Sequence, residues 1–244
     1  MPFMRVAVVS DIHGNLSALE AVIADLRAVS PDLVVQGGDL VGSGSRPAEV
    51  IDLVRDLQWP GVFGNTDEML WAPERLTDVL KSPQLHALRK VLLEDVVPAT
   101  LRAIGHERLA WLRQLPAIWS AGGLSVVHAS PGTVWRAPMP DAAHEEFETT
   151  YGSLGGRAVV YGHIHRPFVR RLATFTIANS GSVSLSYDGD PRAAYAVIDD
   201  AGITIRRISY DVEEEISRLL ADGYPQADWL ARILQTGRYV PPAD

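Results

Sequence analysis

Val6-Ala7-Val8-Val9-Ser10-Asp11-Ile12-His13-Gly14-Asn15-Leu16 decides the fold class. The apolar, β-branched run from Arg5 to Ser10 predicts a strand. Leu16, Leu19, Val22, Ile23 and Leu26 follow at helical spacing, with Asn15 placed to cap. A strand therefore feeds a helix, and Asp11 and His13 sit at the junction. Working outward, Leu33 to Gln36 is a second short apolar run, and Ala48 to Leu57 a second helix after Pro47. Gly61 to Phe63 reads as the tip of a third strand. The first third thus reads β-α-β-α-β, which implies a parallel sheet.

From Asp67 to about Leu115 the pattern is helical, interrupted at Pro73, Pro83 and Pro98, and is expected to form an insertion over one edge of the site. Strands are expected at Ile118 to Ser120, Leu124 to His128 and Ala158 to Tyr161, with a helix around Ala142 to Tyr151. Phe168 to Leu172, Phe175 to Asn179, Ala193 to Asp199 and Ile203 to Ser209 are short, evenly spaced and separated by turn residues, as antiparallel strands are. Residues 212–235 form an amphipathic helical tail broken at Gly223 and Pro225. With no linker, repeat or low-complexity tract visible, residues 1–244 are expected to form a single domain.

Hydrophobic residues make up 47% of the chain and charged residues 21%, a balance that excludes disordered and fibrous classes. The formal net charge of -8 supplies no global field to draw in a nucleic-acid polymer. With no cysteine, disulfides, thiolate zinc sites and cysteine nucleophiles are excluded, so any metal must use oxygen and nitrogen ligands. No leader pattern or long apolar span is seen, so the chain is expected to be cytoplasmic, without a membrane partner.

The chemistry gathers where strands end. Asp11 and His13 are two apart on extended chain and project to one side. Gly37-Gly38-Asp39 follows the second strand and Gly64-Asn65-Thr66-Asp67 the third. His128 ends a strongly apolar strand, and Gly162-His163-Ile164-His165 places two imidazoles two residues apart. Each of these alone has an ordinary structural explanation, such as a helix cap or a satisfied histidine. Their recurrence at all five expected transitions does not. Seven ligands (Asp11, His13, Asp39, Asn65, His128, His163 and His165) exceed what one ion needs, which implies two divalent cations. Mixed imidazole, carboxylate and amide ligation suits Mn, Fe or Zn, and argues against Ca or Mg alone.

Asp-x-His, Gly38-Asp39-Leu40-Val41-Gly42, Gly-Asn-x-Asp, a strand-end His and Gly-His-x-His, in that order, resemble the calcineurin-like metallophosphoesterase superfamily over roughly Val6 to Ser182. The start Ser-Asp-Ile-His-Gly-Asn is most similar to its small bacterial and archaeal phosphodiesterase branch. The resemblance implies a four-layer α/β (α+β) fold, a β-sandwich of mixed sheets flanked by helices with a dinuclear site at the strand ends. It implies that Asp11, His13 and His165 hold one metal, Asn65, His128 and His163 the other, and Asp39 bridges. The implied activity is phosphoric ester hydrolysis by a hydroxide bridging the ions, with Asp39, Asn65 and His128 positioning hydroxide and phosphate.

Thr66 stands where phosphomonoesterase members carry His. A hydroxyl cannot replace imidazole as a general acid, so a phosphodiesterase acting on a small phosphate ester, nucleotides included, is favoured over a monoesterase. Asp67 is expected either to position a water or to cap the following helix. His86, His106 and His144 read as surface residues, any of which could supply the missing proton, and Arg102, Arg108 and Arg136 as weak phosphate contacts. Asn179-Ser180-Gly181-Ser182 is either a phosphate-proximal loop or a plain turn. The competing functions are a diadenosine polyphosphate hydrolase or protein phosphatase of the same fold, and a non-catalytic scaffold like the related retromer subunit.

Overall fold

The computed structural model describes residues 4–242, so residues 1–3 and 243–244 of the expected 1–244 domain lie outside it. Nine strands among the described residues make two mixed sheets. The first has the order β2 (Leu33–Gln36), β1 (Val6–Val9), β8 (Ala193–Asp199), β9 (Gly202–Ile208). The second runs β3 (Ile118–Ala121), β4 (Leu124–Val127), β5 (Ala158–Tyr161), β7 (Thr176–Asn179), β6 (Phe168–Arg171).

The period-2 alternation explains why these strands read as continuous apolar runs. Val6 and Val8 face a core between the sheets with Val35, Leu124, Val126, Ala158, Val160, Ala178, Ala196 and Ile198. Ala7 and Val9 turn the other way, onto α1 (Leu16–Val29) and α2 (Pro47–Asp56), in a core that also takes residues of α8 (Val212–Ala221) and α9 (Ala227–Thr236). On the far side of the second sheet, Val127, Val159, Tyr161 and Ile177 meet Phe147 and Tyr151 of α7 (His144–Tyr151). The result is four layers, helix, sheet, sheet, helix.

Three expectations change. The first third pairs in parallel as expected, but the later strands are not all antiparallel: β1 pairs β2 in parallel in one sheet, and β4, β5 and β7 are parallel in the other. Each sheet adds antiparallel neighbours: β8 reaches β1 from far along the chain, while β3 with β4, β6 with β7 and β8 with β9 are sequential pairs. The third strand shrinks to one parallel bridge, Gln36 to Gly61, which follows a turn at Leu57 and Gln58. Pro98 does not interrupt the helical insertion. The chain runs through α5 (His86–Val91), a π-helical turn over Leu92–Val96, and α6 (Val97–Leu112). The widened π turn makes room for a proline that lacks an N–H and crowds the preceding carbonyl. The break falls at Gly105, with φ 68°. Shorter helices α3 (Asn65–Glu68) and α4 (Glu74–Val79) precede these, and α6 lies along α2, where Arg108 forks onto Asp52. No helix among the described residues is long and apolar enough to cross a membrane.

Phe147 is fully buried, with Tyr151 and Phe168 against its ring and the Arg170 guanidinium 4.9 Å from its centroid. Phe147→Ala should cost about 3–5 kcal/mol through lost contacts and the cavity left behind. Urea unfolding should show a lower midpoint at an unchanged slope.

Candidate metal centre

All the ends that carry ligands lie at one edge of the sandwich, and the turns that follow them are tight. Gly64 is glycine because a Cβ there would overlap the Asp39 carboxylate, and Gly162 because a Cβ would overlap Asp11 and Ser10. The ligand residues themselves are bent sharply: Asp11, His13, Asp39, His163 and His165 all have φ between 52° and 66°. Nine non-glycine residues among those described have positive φ, and five of them are these. Such backbone costs on the order of 1–3 kcal/mol per residue and collects at functional sites.

Asp11, His13, Asp39 and His165 are buried together, with ligand atoms all within 4.8 Å of one another. His165 Nε2 lies 3.1 Å from Asp11 Oδ1, and His13 Nε2 lies 3.7 Å from Asp39 Oδ2. The other Asp39 oxygen faces a second group: Oδ1 is 3.4 Å from His128 Nε2. Asn65 Oδ1 completes that group, 2.9 Å from His128 Nε2 and 2.7 Å from His163 Nδ1. All seven expected ligands are therefore brought together, in two sets that meet at Asp39.

Three imidazoles are oriented by backbone carbonyls, which only accept hydrogen bonds. His13 Nδ1 donates to Gly42 O at 3.0 Å, His128 Nδ1 to Gly37 O at 3.0 Å and His165 Nδ1 to Leu185 O at 2.5 Å. In the neutral rings every Nε2 then presents a lone pair inward, and those of His13 and His165 stand 3.3 Å apart. Lone pairs aimed at lone pairs and carboxylates need positive charge among them. The donor set fits a divalent cation of the borderline class.

Burial lowers the His13 imidazole below its ordinary range and takes His163 down to about 4. In His128 burial acts in the same direction, but the Asp39 and Asp11 carboxylates outweigh it and raise the ring. Burial acts to raise Asp11, and His165, His128 and His13 outweigh it, so the carboxyl is held low. Neutral imidazoles beside ionised carboxylates are the forms that ligate.

Asp67 is wholly buried and takes the capping role: Oδ2 accepts from Gly64 N and Asp39 N, both at 2.9 Å, and Oδ1 from Leu40 N at 3.1 Å and Val41 N at 3.3 Å. Burial, then the Asp39 charge, push its carboxyl up to about 7 against the pull of those donors. It ties the Asp39 turn to the Asn65 turn. The Thr66 hydroxyl donates to Val41 O at 2.7 Å. Asn179 and Ser182 neither face solvent nor form a plain turn: Asn179 Nδ2 donates to Gly162 O and Ser182 Oγ to Asp11 O at 2.8 Å, buttressing both sheets' turns. His86, His106 and His144 are exposed on helices, Arg102 and Arg136 are exposed, and Arg108 is engaged by Asp52. The Leu185 carbonyl and a Tyr187 ring stacked on His165 had no sequence signal. Gly42, already in the Gly-Asp-x-x-Gly pattern, owes its place to a φ of 85° and the close approach of Thr66, and its carbonyl orients His13.

A model of the calcineurin-like phosphoesterase superfamily domain matches residues 4–201. An uncharacterised protein of Methanocaldococcus jannaschii is 31% identical over 256 residues, spanning 96% of this chain and 98% of its own. A Synechococcus protein named a probable cyclic nucleotide phosphodiesterase is 28% identical over 187 residues, 69% of this chain and 71% of its own. The crystal structure of a metallophosphoesterase from Sphaerobacter thermophilus superposes with a TM-score of 0.78 at 27% identity, covering 96% of this chain and 99% of that one.

Asp67→Ala strips four backbone N–H groups of their acceptor. A loss on the order of 3 kcal/mol is expected in denaturant unfolding, with reduced Mn content by elemental analysis. The chelator-stripped protein should melt several degrees lower than the Mn-loaded one, since a cation that binds only the folded site stabilises it. Differential scanning fluorimetry with and without Mn checks this, and Asp39→Ala should abolish the shift.

Proposed function

The chain belongs to the calcineurin-like phosphoesterase superfamily, and from that membership and the geometry of its site we propose that it is a metal-dependent phosphodiesterase. The observation that carries the reading is the shared Asp39 carboxylate, with one oxygen toward each ligand set. In this reading Asp11, His13 and His165 hold one divalent cation, Asn65, His128 and His163 a second, and Asp39 both. Mn, Fe or Zn suits the ligands. Bound there, the cations would supply Lewis acidity to the phosphoryl oxygens and lower the pKa of the attacking water.

The residues of the chain do the positioning. The Gly42, Gly37 and Leu185 carbonyls keep three imidazoles in one tautomer, so that ligand lone pairs face inward without rearrangement. Asn65 and His163 are the least buried of the seven, so in this reading the ester would reach the centre from their side. Asp67 keeps the Asp39 and Asn65 turns at a fixed separation. Thr66 gives its only proton to Val41 O, so it offers none to a departing oxygen. The leaving group must depart by virtue of its own acidity, which favours aryl or phosphate-linked esters over alkyl monoesters. The likeness to the Synechococcus relative supports a diester and, more narrowly, a small nucleotide-type substrate. A non-catalytic scaffold is disfavoured because all seven ligand positions are filled and converge.

Hydrolysis of bis-p-nitrophenyl phosphate and p-nitrophenyl phosphate, with Mn, Fe, Zn and Mg in turn, tests the reading. The diester should be cleaved faster, and alkyl phosphates and phosphoserine peptides much more slowly. Asp39→Ala and Asn65→Ala should each lose about 100-fold or more, given that even groups behind a ligand are worth about 10–100-fold. Equal rates on alkyl monoesters would refute the phosphodiesterase preference, and a metal-free, inert protein would refute the enzyme.

A further inference from the structure

Two residues beyond Leu185, whose carbonyl orients His165, the chain places an aromatic ring on that same ligand. Tyr187 stacks on the His165 imidazole with centroids 4.4 Å apart and planes 19° from parallel, and its backbone N–H donates to His165 O at 3.1 Å. A second ring meets the first. Tyr239 stands edge to face with Tyr187, centroids 5.5 Å apart and planes at 76°.

Tyr239 arrives from the tail beyond α9, and that tail is pinned on both sides of it. Gly189 N donates to Gly237 O at 2.8 Å, and Trp229 Nε1 donates to Val240 O at 2.6 Å. The tail is thereby held against the 187–191 loop. Despite this anchoring the Tyr239 ring remains 40% exposed, where a ring serving only to close a core would be covered.

The surrounding charge suits an anion. Asp188 and Asp190, the acids of this loop, are occupied: Asp188 pairs with Arg207, and Asp190 pairs with Arg192 at 2.6 Å. Arg166, exposed and next to His165, donates Nε to Tyr187 O at 3.3 Å and makes no ion pair among the described residues. The Arg238 guanidinium lies against Gly189. A ledge of two rings bordered by cations therefore adjoins one ligand of the metal centre.

We infer that the exposed Tyr239 ring, backed by Tyr187, is a stacking ledge that receives a planar aromatic group carried by the phosphate ester, making Tyr239 a specificity-determining residue. The inference rests on the phosphodiesterase reading above and adds to it where the substrate's ring lies. With the phosphoryl group at the shared Asp39 carboxylate, a substituent extending past His165 meets the ledge. Every nucleobase and every aryl group has a π-face, so stacking selects for a ring without reading its edge.

Calorimetric titration of the Mn-loaded protein with phenylphosphonate and methylphosphonate, neither of which is hydrolysed, isolates the ring. Phenylphosphonate should bind about tenfold more tightly, the gain typical of one stacked ring. Tyr239→Phe should keep that ratio and Tyr239→Ala should remove most of it. A variant that only loosened the tail would weaken both ligands together and leave the ratio standing, which would overturn the proposal, as would a wild-type ratio near one. Adenosine 5′-thiomonophosphate binding more tightly than phenylphosphonate would assign the ledge to a nucleobase, and equal affinity to aryl groups in general. Ring selectivity absent while diesters are cleaved sinks the ledge alone. Ring selectivity present in a protein that cleaves no phosphate ester sinks the phosphodiesterase reading alone.

Discussion

One carboxylate joins the two halves of this site. Asp39 Oδ2 faces His13 at 3.7 Å while Oδ1 faces His128 at 3.4 Å and accepts from Thr66 N at 2.8 Å. The first sheet supplies Asp11 and His13, the second His128, His163 and His165, and the Asp39 and Asn65 turns lie at the seam. For one carboxylate to serve both sets, the strand ends of two sheets must come closer than side chains normally allow. Gly64 and Gly162 permit that approach, and Asp67 fixes it by accepting four backbone N–H groups from two turns. The layers beneath exist, in this sense, to hold the seam shut.

Holding it shut has an energetic cost. Five ligand residues sit in left-handed backbone, and several buried acceptors point at one another without a proton between them. Neither feature is stable on its own, and both persist because the inter-sheet core and the buttress of Asn179 and Ser182 leave the turns nowhere to relax. A cation would offset the second cost, which couples metal occupancy to the stability of this edge of the molecule.

The histidine that is absent matters as much as those that are present. With Thr66 turned into Val41 O, a phosphate ester bound as proposed would find no proton at that position for its departing oxygen. In the proposed reaction, discrimination would then fall to the acidity of the leaving group and to whatever the substrate touches beyond the phosphate. The aromatic pair beside His165 is the feature of the structure best suited to that second task.

The candidate ligand residues were legible because strand-end positions carry a chemical signature that needs no tertiary information: a residue type, a spacing of two, and a glycine before it. The same local rules located α1 with its Asn15 cap, the strands within a residue or two, and the helical pair α8 and α9 broken at Gly223 and Pro225. They failed where the outcome depended on partners. Which strands share a sheet is set by pairing across the whole chain, so β7 joined β5 in parallel and β8 entered between β1 and β9. Pro98 was absorbed because neighbouring turns widened to take it. Sequence alone picked out the candidate ligands and the family of chemistry, since these reside in side-chain identity and short-range spacing. The resemblance already implied Asp39 between the two sets; only the folded structure decided that Asp67 clamps the seam, that Thr66 looks away and that Tyr239 meets Tyr187. Each of these is a contact across many residues of chain, and its existence depends on how two sheets pack.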